Sequence, residues 1–540
     1  MPRSASSPLS LLLLVTALLT FLIQSGELGT SDTMHRLQVT HSLWTDQPQV
    51  FPNEYPDFGV YGRGGRLYAW YGIGQSLLML PADLIGSAAT RLPFWSCYAR
   101  SEADPAIRSI IVSISTNILI NVLTALAAFH LLGLLGFSIR ESVFGVLALL
   151  CATTHLHYAQ NMTENNYIFL LTLTGFTLQY QWLKTGKQRA LFWGSAALGL
   201  NLLTRITTAI DIFGVACFLL LAYRLTRNAA RSSSDSAGNR RHSHPVLTYL
   251  STALPIYAVF LFFDRFYQFI RFGSWANTYV SISAQEQRQM DPTLPASFPF
   301  NGSWIHGGLN SGILGPLFSP AKSLFLFDPI FPLLLLLVAL LWKQLMPAMR
   351  AFFAATLLMV ALYIVFYARY YSWAGDFAWG DRYIASAIEL SGLLVIPLLL
   401  RYRQALSRMV WNLALFIVAG SVAIQFASLA FWLPLEIYQM DTFGHHTFVI
   451  LLRFRNIAAF ALGQREAWGL NTPTMFADPW DAAHITTWNF LPSLLRHIGI
   501  APLWAVHILY GIWIAVAVIL IYVSTKLIPM IIHPTTSTDH

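Results

Sequence analysis

Apolar runs long enough to cross a lipid bilayer recur from one end of this chain to the other. A span needs about 17–25 residues, and the sequence offers them near 8–24, 109–133, 142–158, 166–183, 190–204, 206–223, 245–263, 324–341, 351–368, 383–400, 409–433 and 502–523. A chain with that pattern can hide its backbone polar groups only in helices or a closed barrel, and runs of this length choose helices. Only 11% of the residues are charged, against about 25% in soluble domains. The expectation is an all-α polytopic membrane protein of about 12 transmembrane helices.

The cations set the orientation. With the N-terminus inside, the short segments 1–8, 134–141, 184–189, 224–244, 342–350 and 401–408 and the C-terminal tail all lie inside. They hold nearly half of the 33 Lys and Arg, as the positive-inside rule asks. The basic balance, pI near 9.3, is therefore a membrane signal, and no nucleic-acid partner is expected. The first run is read as an uncleaved span. The Arg/Ser-rich segment 224–244 is a flexible cytoplasmic linker. The long stretches 25–108, 264–323, 369–381 and 434–501 fall outside, rich in Trp, Tyr, Pro and Gly, as interfacial segments are. Residues 71–90 are apolar enough to tempt a further crossing, but that would carry the basic loops outside. They are expected as an interfacial or re-entrant helix in the first exofacial loop. Residues 1–433 read as the main membrane unit and 434–540 as an exofacial segment with a last span. The three cysteines form no metal or disulfide pattern. Gly72-Ile-Gly74 lacks the strand and third glycine of a dinucleotide site.

With this topology several polar residues fall on one outer face. Asp32 follows the first span, with His35 and Arg36 beyond it. Glu164 lies in the tight turn after the third span, and Arg205 in the next outer turn. Lys322 closes Gly315-Pro-Leu-Phe-Ser-Pro-Ala-Lys322, and Arg382 with Tyr383 ends Trp379-Gly-Asp-Arg-Tyr383. Each has a plainer reading: a loop acid for Asp32, a helix cap for Glu164, snorkelling for Lys322 and Arg382, an ordinary span end for Arg205. Asp211, inside an apolar run, has Arg205 as its nearest candidate partner. Two acids facing cations at the outer edge suit transfer of a sugar from a lipid-phosphate carrier to a hydroxyl. A carboxylate takes the proton of the attacking hydroxyl, and cations receive the charge that grows on the departing phosphate. One base opposite the leaving group implies inversion, by analogy with glycoside chemistry.

The order of these features resembles the GT-C superfamily of integral-membrane glycosyltransferases. The group it most resembles is the bacterial relatives of the dolichyl-phosphate-mannose–protein mannosyltransferases and of the aminoarabinose transferase, glycosyltransferase family 39. The resemblance rests on Asp32 after the first span, Tyr71-Gly-Ile-Gly-Gln75-Ser-Leu-Leu-Met-Leu-Pro81, Glu164 after a short third span, Gly199-Leu-Asn-Leu-Leu-Thr-Arg205, Phe318-Ser-Pro-Ala-Lys-Ser-Leu-Phe325 and Trp379-Gly-Asp-Arg-Tyr383. It implies that Asp32 is the base, with a polyprenyl-phosphate sugar as donor and a bacterial inner membrane with the site facing the periplasm. The acceptor, whether glycan, lipid or protein, stays open. Thr33 follows Asp32 where many protein mannosyltransferases carry Asp-Glu, and Tyr71-Gly-Ile-Gly replaces their Pro-Pro. Glu164 is the second acid, as metal or proton partner. Lys322, Arg382 and Arg205 are the phosphate binders, and His35, Arg36, Tyr71, Gln75 and Tyr383 complete the candidates. A divalent metal (Mg, Mn or Zn) on Asp32 and Glu164, with His35, His155 or His157, is left open. Trp468, Trp480 and Trp488 are candidates for binding the acceptor. Two other readings remain: a transporter or flippase of lipid-linked glycan, and a glycan polymerase or ligase.

Overall fold

The computed structural model describes residues 7–51, 59–91, 106–232, 245–305, 312–375, 378–432, 434–464, 487–499 and 501–532. Helices stand at every position where a span was expected. In chain order they are α1 (Pro8–Ile23), α2 (Ser31–Ser42), α3 (Gly74–Thr90), α4 (Ala106–Leu134), α5 (Ile139–Ala152), α6 (His155–Gln160), α7 (Glu164–Thr185) and α8 (Gln188–Leu202). Next come α9 (Ala209–Ser232), α10 (Pro245–Phe272), α11 (Tyr279–Met290), α12 (Leu314–Phe318), α13 (Leu324–Phe327), α14 (Ile330–Leu341), α15 (Pro347–Tyr367) and α16 (Ala385–Gly392). The chain closes with α17 (Val395–Arg401), α18 (Arg408–Ser428), α19 (Pro434–Phe443), α20 (Val449–Ala461), α21 (Leu491–Ile498) and α22 (Leu503–Ile532). One short hairpin, β1 (Gly59–Tyr61) with β2 (Leu67–Ala69), pairs antiparallel in the register Val60↔Tyr68.

Six of these helices are long and apolar enough to cross a membrane: α4, α9 with the turn before it, α10, α15, α18 and α22. The protein is a multi-pass helical membrane protein. α7 is more polar, yet its 22 residues rise about 33 Å, the thickness of a bilayer core. Its two ends are chemically distinct. At the far end Lys184 donates to the Leu134 carbonyl at 2.7 Å. At that same end the Ser138–Glu141 capping box starts α5, and Arg401 Nη2 pairs with Glu141 at 2.6 Å. The near end opens on Glu164.

Three expected spans are not single helices. The run 142–158 breaks at Thr153-Thr154, between α5 and α6. The run 324–341 breaks at Asp328, because the residue before Pro329 is driven out of helical backbone. The run 383–400 divides between α16 and α17. Two of the breaks satisfy each other: Asp328 accepts from the Thr154 backbone N–H at 2.7 Å and from its hydroxyl at 3.1 Å. A buried carboxylate thus caps the orphaned first turn of α6. Glu389 and Asn121 hold the two ring nitrogens of His155 at 3.3 and 2.8 Å in the same layer. The fourth difference is α10, which runs on to Phe272. Asp264, expected in a loop, is a buried helical residue.

α3 lies against α2 and α4, its one internal acid, Asp83, fully buried. α22 packs along α1, and Trp513 donates to the Leu22 carbonyl at 3.0 Å. α20 is fastened beneath α18 by Arg453, which pairs with Glu436 at 2.6 Å and donates to the Phe431 carbonyl at 2.7 Å.

Candidate active site

The site begins with α2. Thr30 caps its first turn, accepting from the Thr33 N–H at 3.3 Å, and Asp32 sits in that turn, where the helix dipole favours an acid. Four polar contacts pin α2 to its neighbours. The Thr33 hydroxyl donates to the Met162 carbonyl at 2.7 Å, and the Ser76 hydroxyl to the Arg36 carbonyl at 3.0 Å. His41 Nδ1 lies 3.0 Å from Asp83, which also accepts from Trp44 Nε1 at 2.8 Å. Asp83 is the hidden anchor of the helix that carries Asp32 and Arg36.

Opposite α2, two glycines let the chain before α3 press against the Arg205 turn. The Gly74 N–H donates to the Leu203 carbonyl at 2.9 Å. A Cβ at Gly72 would strike the Leu203 carbonyl oxygen, and one at Gly74 the Thr204 hydroxyl. The Gly-Ile-Gly motif therefore serves close backbone approach.

These supports bring nine candidates into one charged cluster. Arg36 and Arg205 each pair with one oxygen of Glu164, and Arg36 donates to Gln75 at 3.1 Å. Arg382 Nη1 pairs with Asp32 Oδ2 at 3.0 Å, and the Tyr71 hydroxyl donates to Asp32 Oδ1 at 2.8 Å. The Tyr71 ring lies under the Arg36 guanidinium at 4.5 Å. The Tyr383 ring lies under both Arg205 and Arg382, at 4.9 and 5.3 Å. His35 stands beside Asp32. Lys322 stands behind the cluster: its Nζ donates to the Ala378 carbonyl at 2.5 Å, on the loop leading to Arg382.

The two acids differ in exposure. The Glu164 side chain is 3% exposed and both its oxygens face guanidiniums. The Asp32 side chain is 20% exposed. Burial would make Arg36 easier to deprotonate, but the carboxylates of Glu164 and Asp32 win and hold it charged. Arg382 is held charged against burial too, with Tyr383, Asp32 and Glu164 contributing. His35 is pushed down to about 4 by burial, with Asp32 opposing, so it is neutral at pH 7. Burial and the neighbouring Asp32 hold the Tyr71 hydroxyl protonated, as a donor. Asp381 is pushed up to about 7 by burial. Asp32 and Glu164 against Arg36, Arg205 and Arg382 leave one net positive charge.

No protein-family model and no curated protein matches this sequence. Two solved structures are similar. One is the oligosaccharyltransferase of Archaeoglobus fulgidus in its apo form, at 12% identity and TM-score 0.43, over 78% of this chain and 55% of that one. The other is the archaeal oligosaccharyltransferase AglB from Archaeoglobus fulgidus with an inhibitory peptide and a dolichol-phosphate, at 14% identity and TM-score 0.39, over 77% and 55%. The chain thus spans about half the length of the archaeal chains.

Several candidates sit elsewhere or in other roles. Asp211 is paired not with Arg205 but with hydroxyls and an amide: Thr172 at 2.6 Å, Tyr363 at 2.7 Å and Asn201 at 3.5 Å. Three of the residues offered as metal ligands have protein partners. Glu164 is taken up by guanidiniums, His155 by Glu389 and Asn121, and His157 lies against Asn161 at 3.2 Å and stacks on Trp379. Among the described residues no group of three or more His, Cys, Asp or Glu is spaced to hold a metal. Trp488 stacks on Phe431 and meets Phe460 edge-on in a packed cluster; Trp468 and Trp480 lie outside the described residues. The structure adds residues the sequence did not single out. Asn165 holds the Arg382 carbonyl at 2.5 Å, and Tyr367 stacks on Tyr383 at 4.3 Å. The one signal for Asn165 was two asparagines after Glu164 at the head of an apolar run.

Proposed function

We propose that this protein is a membrane glycosyltransferase of the GT-C type. It moves a sugar from a polyprenyl-phosphate carrier to an acceptor hydroxyl at the outer face of the membrane. The observation that carries the reading is the unequal exposure of the two acids. Glu164 is sealed between Arg36 and Arg205, whereas Asp32 reaches solvent beside a cluster with one positive charge to spare. Asp32 is then the base. The acceptor oxygen bonds to the anomeric carbon, its proton passes to Asp32, and the bond from that carbon to the phosphate oxygen breaks. Attack from the face opposite the phosphate inverts the sugar. Arg382 and Arg205, over the shared Tyr383 ring, take the charge left on the lipid phosphate. Glu164 keeps Arg36 and Arg205 in place, and Gln75 and Tyr71 orient Arg36 and Asp32. A bacterial inner membrane, with the site on its periplasmic side, suits this chemistry.

The test is reconstitution in liposomes with a polyprenyl-phosphate sugar. Asp32→Asn should remain folded and lose about 10²–10⁴-fold in transfer, the range for removal of a general base. Full transfer by Asp32→Asn refutes the assignment.

A second reading, a flippase of lipid-linked glycan, is favoured by one observation. Broken helices and the buried acids Asp328 and Glu389 are features of transporters. It predicts leaflet exchange of a fluorescent lipid-linked sugar that Asp328→Asn abolishes and Asp32→Asn spares.

A further inference from the structure

We propose that Arg382 is a latch on Asp32 which a lipid-borne phosphate releases, so that the donor must bind before the base is free. This rests on the reading of Asp32 as the base. The backbone at Arg382 is fixed: Asn165 donates to its carbonyl at 2.5 Å, and Asp381 Oδ1 accepts from the Tyr383 N–H at 3.0 Å. The side chain is held at its tip, by Asp32 and Tyr383. Nη1 makes its bond to Asp32 at 3.0 Å, while the buried Nε has no hydrogen-bond partner among the described residues. The aliphatic stem runs over Gly375, whose φ of +70° suits glycine. A Cβ there would collide with Cγ and come within 2.8 Å of Cδ and Nε. That bare backbone leaves the arginine a track.

The pairings decide which guanidinium can leave. Arg36 and Arg205 share an acid whose side chain is 3% exposed and sealed from an arriving lipid. Arg382 pairs with an acid that keeps the Tyr71 hydroxyl if the arginine departs. The resting pair also blocks the base, because Tyr71 and Arg382 occupy one oxygen of Asp32 each. A phosphodiester carries one negative charge, matching the one positive charge left over in the cluster. It also offers a guanidinium a two-pronged partner in place of a single bond. Transfer of Arg382 from Asp32 to that phosphate leaves Asp32 with Tyr71 alone and its Oδ2 open to the acceptor hydroxyl. Without donor the acceptor meets an occupied carboxylate, so binding is ordered, donor first.

The probe is a polyprenyl methyl phosphate, a phosphodiester without sugar. Its affinity is measured by native mass spectrometry for the full-length protein in phosphatidylcholine nanodiscs. A double-mutant cycle separates a latch from a simple change of charge. Asp32→Asn should tighten binding about tenfold in the wild-type background, the gain expected when a competent state populated about one-tenth of the time becomes dominant. With Arg382→Ala present, the same change should alter affinity by no more than about twofold. Arg382→Gln repeats the cycle with a bulkier side chain, in case the alanine variant loses its fold. An equal gain in both backgrounds, or no gain in either, overturns the latch. Sugar transfer on the same wild-type sample distinguishes the two levels. Transfer with equal gains removes the latch alone. The coupled gain without transfer from any polyprenyl-phosphate sugar removes the glycosyltransferase reading.

Discussion

Glu164→Gln tests the charged cluster at its most deeply placed member. The Glu164 and Arg36 side chains are 3% and 5% exposed, and Arg205 is 10% exposed. The carboxylate serves one guanidinium with each oxygen. Glutamine can offer one carbonyl oxygen to one of them and turns an N–H₂ toward the other. Two buried arginines then lack their counter-ion, and the cluster rises from one net positive charge to two. Removing one partner of a buried pair costs about 3–5 kcal/mol. Gln75 and the Tyr71 face remain on Arg36, which puts the expected loss near the lower end, about 3 kcal/mol. The assay is equilibrium unfolding in detergent followed by tryptophan fluorescence. Two further arms make the result specific. Arg205→Gln added to Glu164→Gln restores one net charge and should return about 1–3 kcal/mol as a coupling energy. Inorganic phosphate should stabilise Glu164→Gln more than the wild type, because a ligand that binds the folded state alone stabilises by mass action. A loss below about 1 kcal/mol, or a double variant that merely adds the two single losses, would show that the arginines do not depend on Glu164.

The remaining predictions concern the supports of the site. Gly74→Ala places a methyl group against the Thr204 hydroxyl and 2.9 Å from its backbone nitrogen. It should cost about 1–3 kcal/mol, as overpacking does, and lower sugar transfer in parallel by moving Gln75 away from the Arg205 turn; wild-type stability and transfer would refute the close packing. Asp381 is an acid whose folded pKa, about 7, is raised by burial, so between about 4 and 7 the folded state binds more protons than the unfolded one. Its contribution falls as pH rises through that window, by up to about 4 kcal/mol. Asp381→Asn should therefore gain stability over the wild type at pH 8 relative to pH 5. His35, pushed down to about 4, contributes the opposite slope in both proteins and cancels in the difference. An unchanged difference between the two pH values would show that Asp381 is not held protonated by burial.

The helical class was written in run length, because a bilayer rewards runs of apolar residues almost irrespective of order. The end of the bundle that would gather charge was legible too: Asp32, Glu164, Arg205 and Arg382 each adjoin a span, and alternation puts those four edges on one side. What could not be read was pairing. Glu164 and Asp32 are both acids near a span end, and nothing in their neighbours says that one is sealed by two arginines and the other faces solvent. That distinction comes from contacts 39 to 350 residues apart, such as Tyr71 with Asp32 and Arg382 with Asp32. Helix continuity was misread where a side chain repairs a break. The run 324–341 is uninterrupted by hydropathy, yet Asp328 leaves the helix to cap Thr154. The acid inside 71–90 was the overlooked signal. A carboxylate in an apolar helix must be paired, and Asp83 is, with His41 of α2, Trp44 and Arg108.

The breaks and the charged cluster belong to one design. Irregular backbone at membrane depth survives only where protein groups satisfy it, so each interruption demands a polar partner and fixes the elements that supply it. Asp328 and Thr154 join the start of α14 to the start of α6. His155 and Glu389 join α6 to α16, and the Asn166 amide holds the His155 carbonyl at 3.2 Å from the first turn of α7. α6 and α16 therefore cannot slide past one another without opening a buried network. Glu164 lies two residues before Asn166, and Arg382 three residues before α16. Glu164 and the backbone of Arg382 are thus tied to the same buried layer. With that floor rigid, motion at the site falls to side chains, and Arg382 is the arginine paired with the more exposed acid.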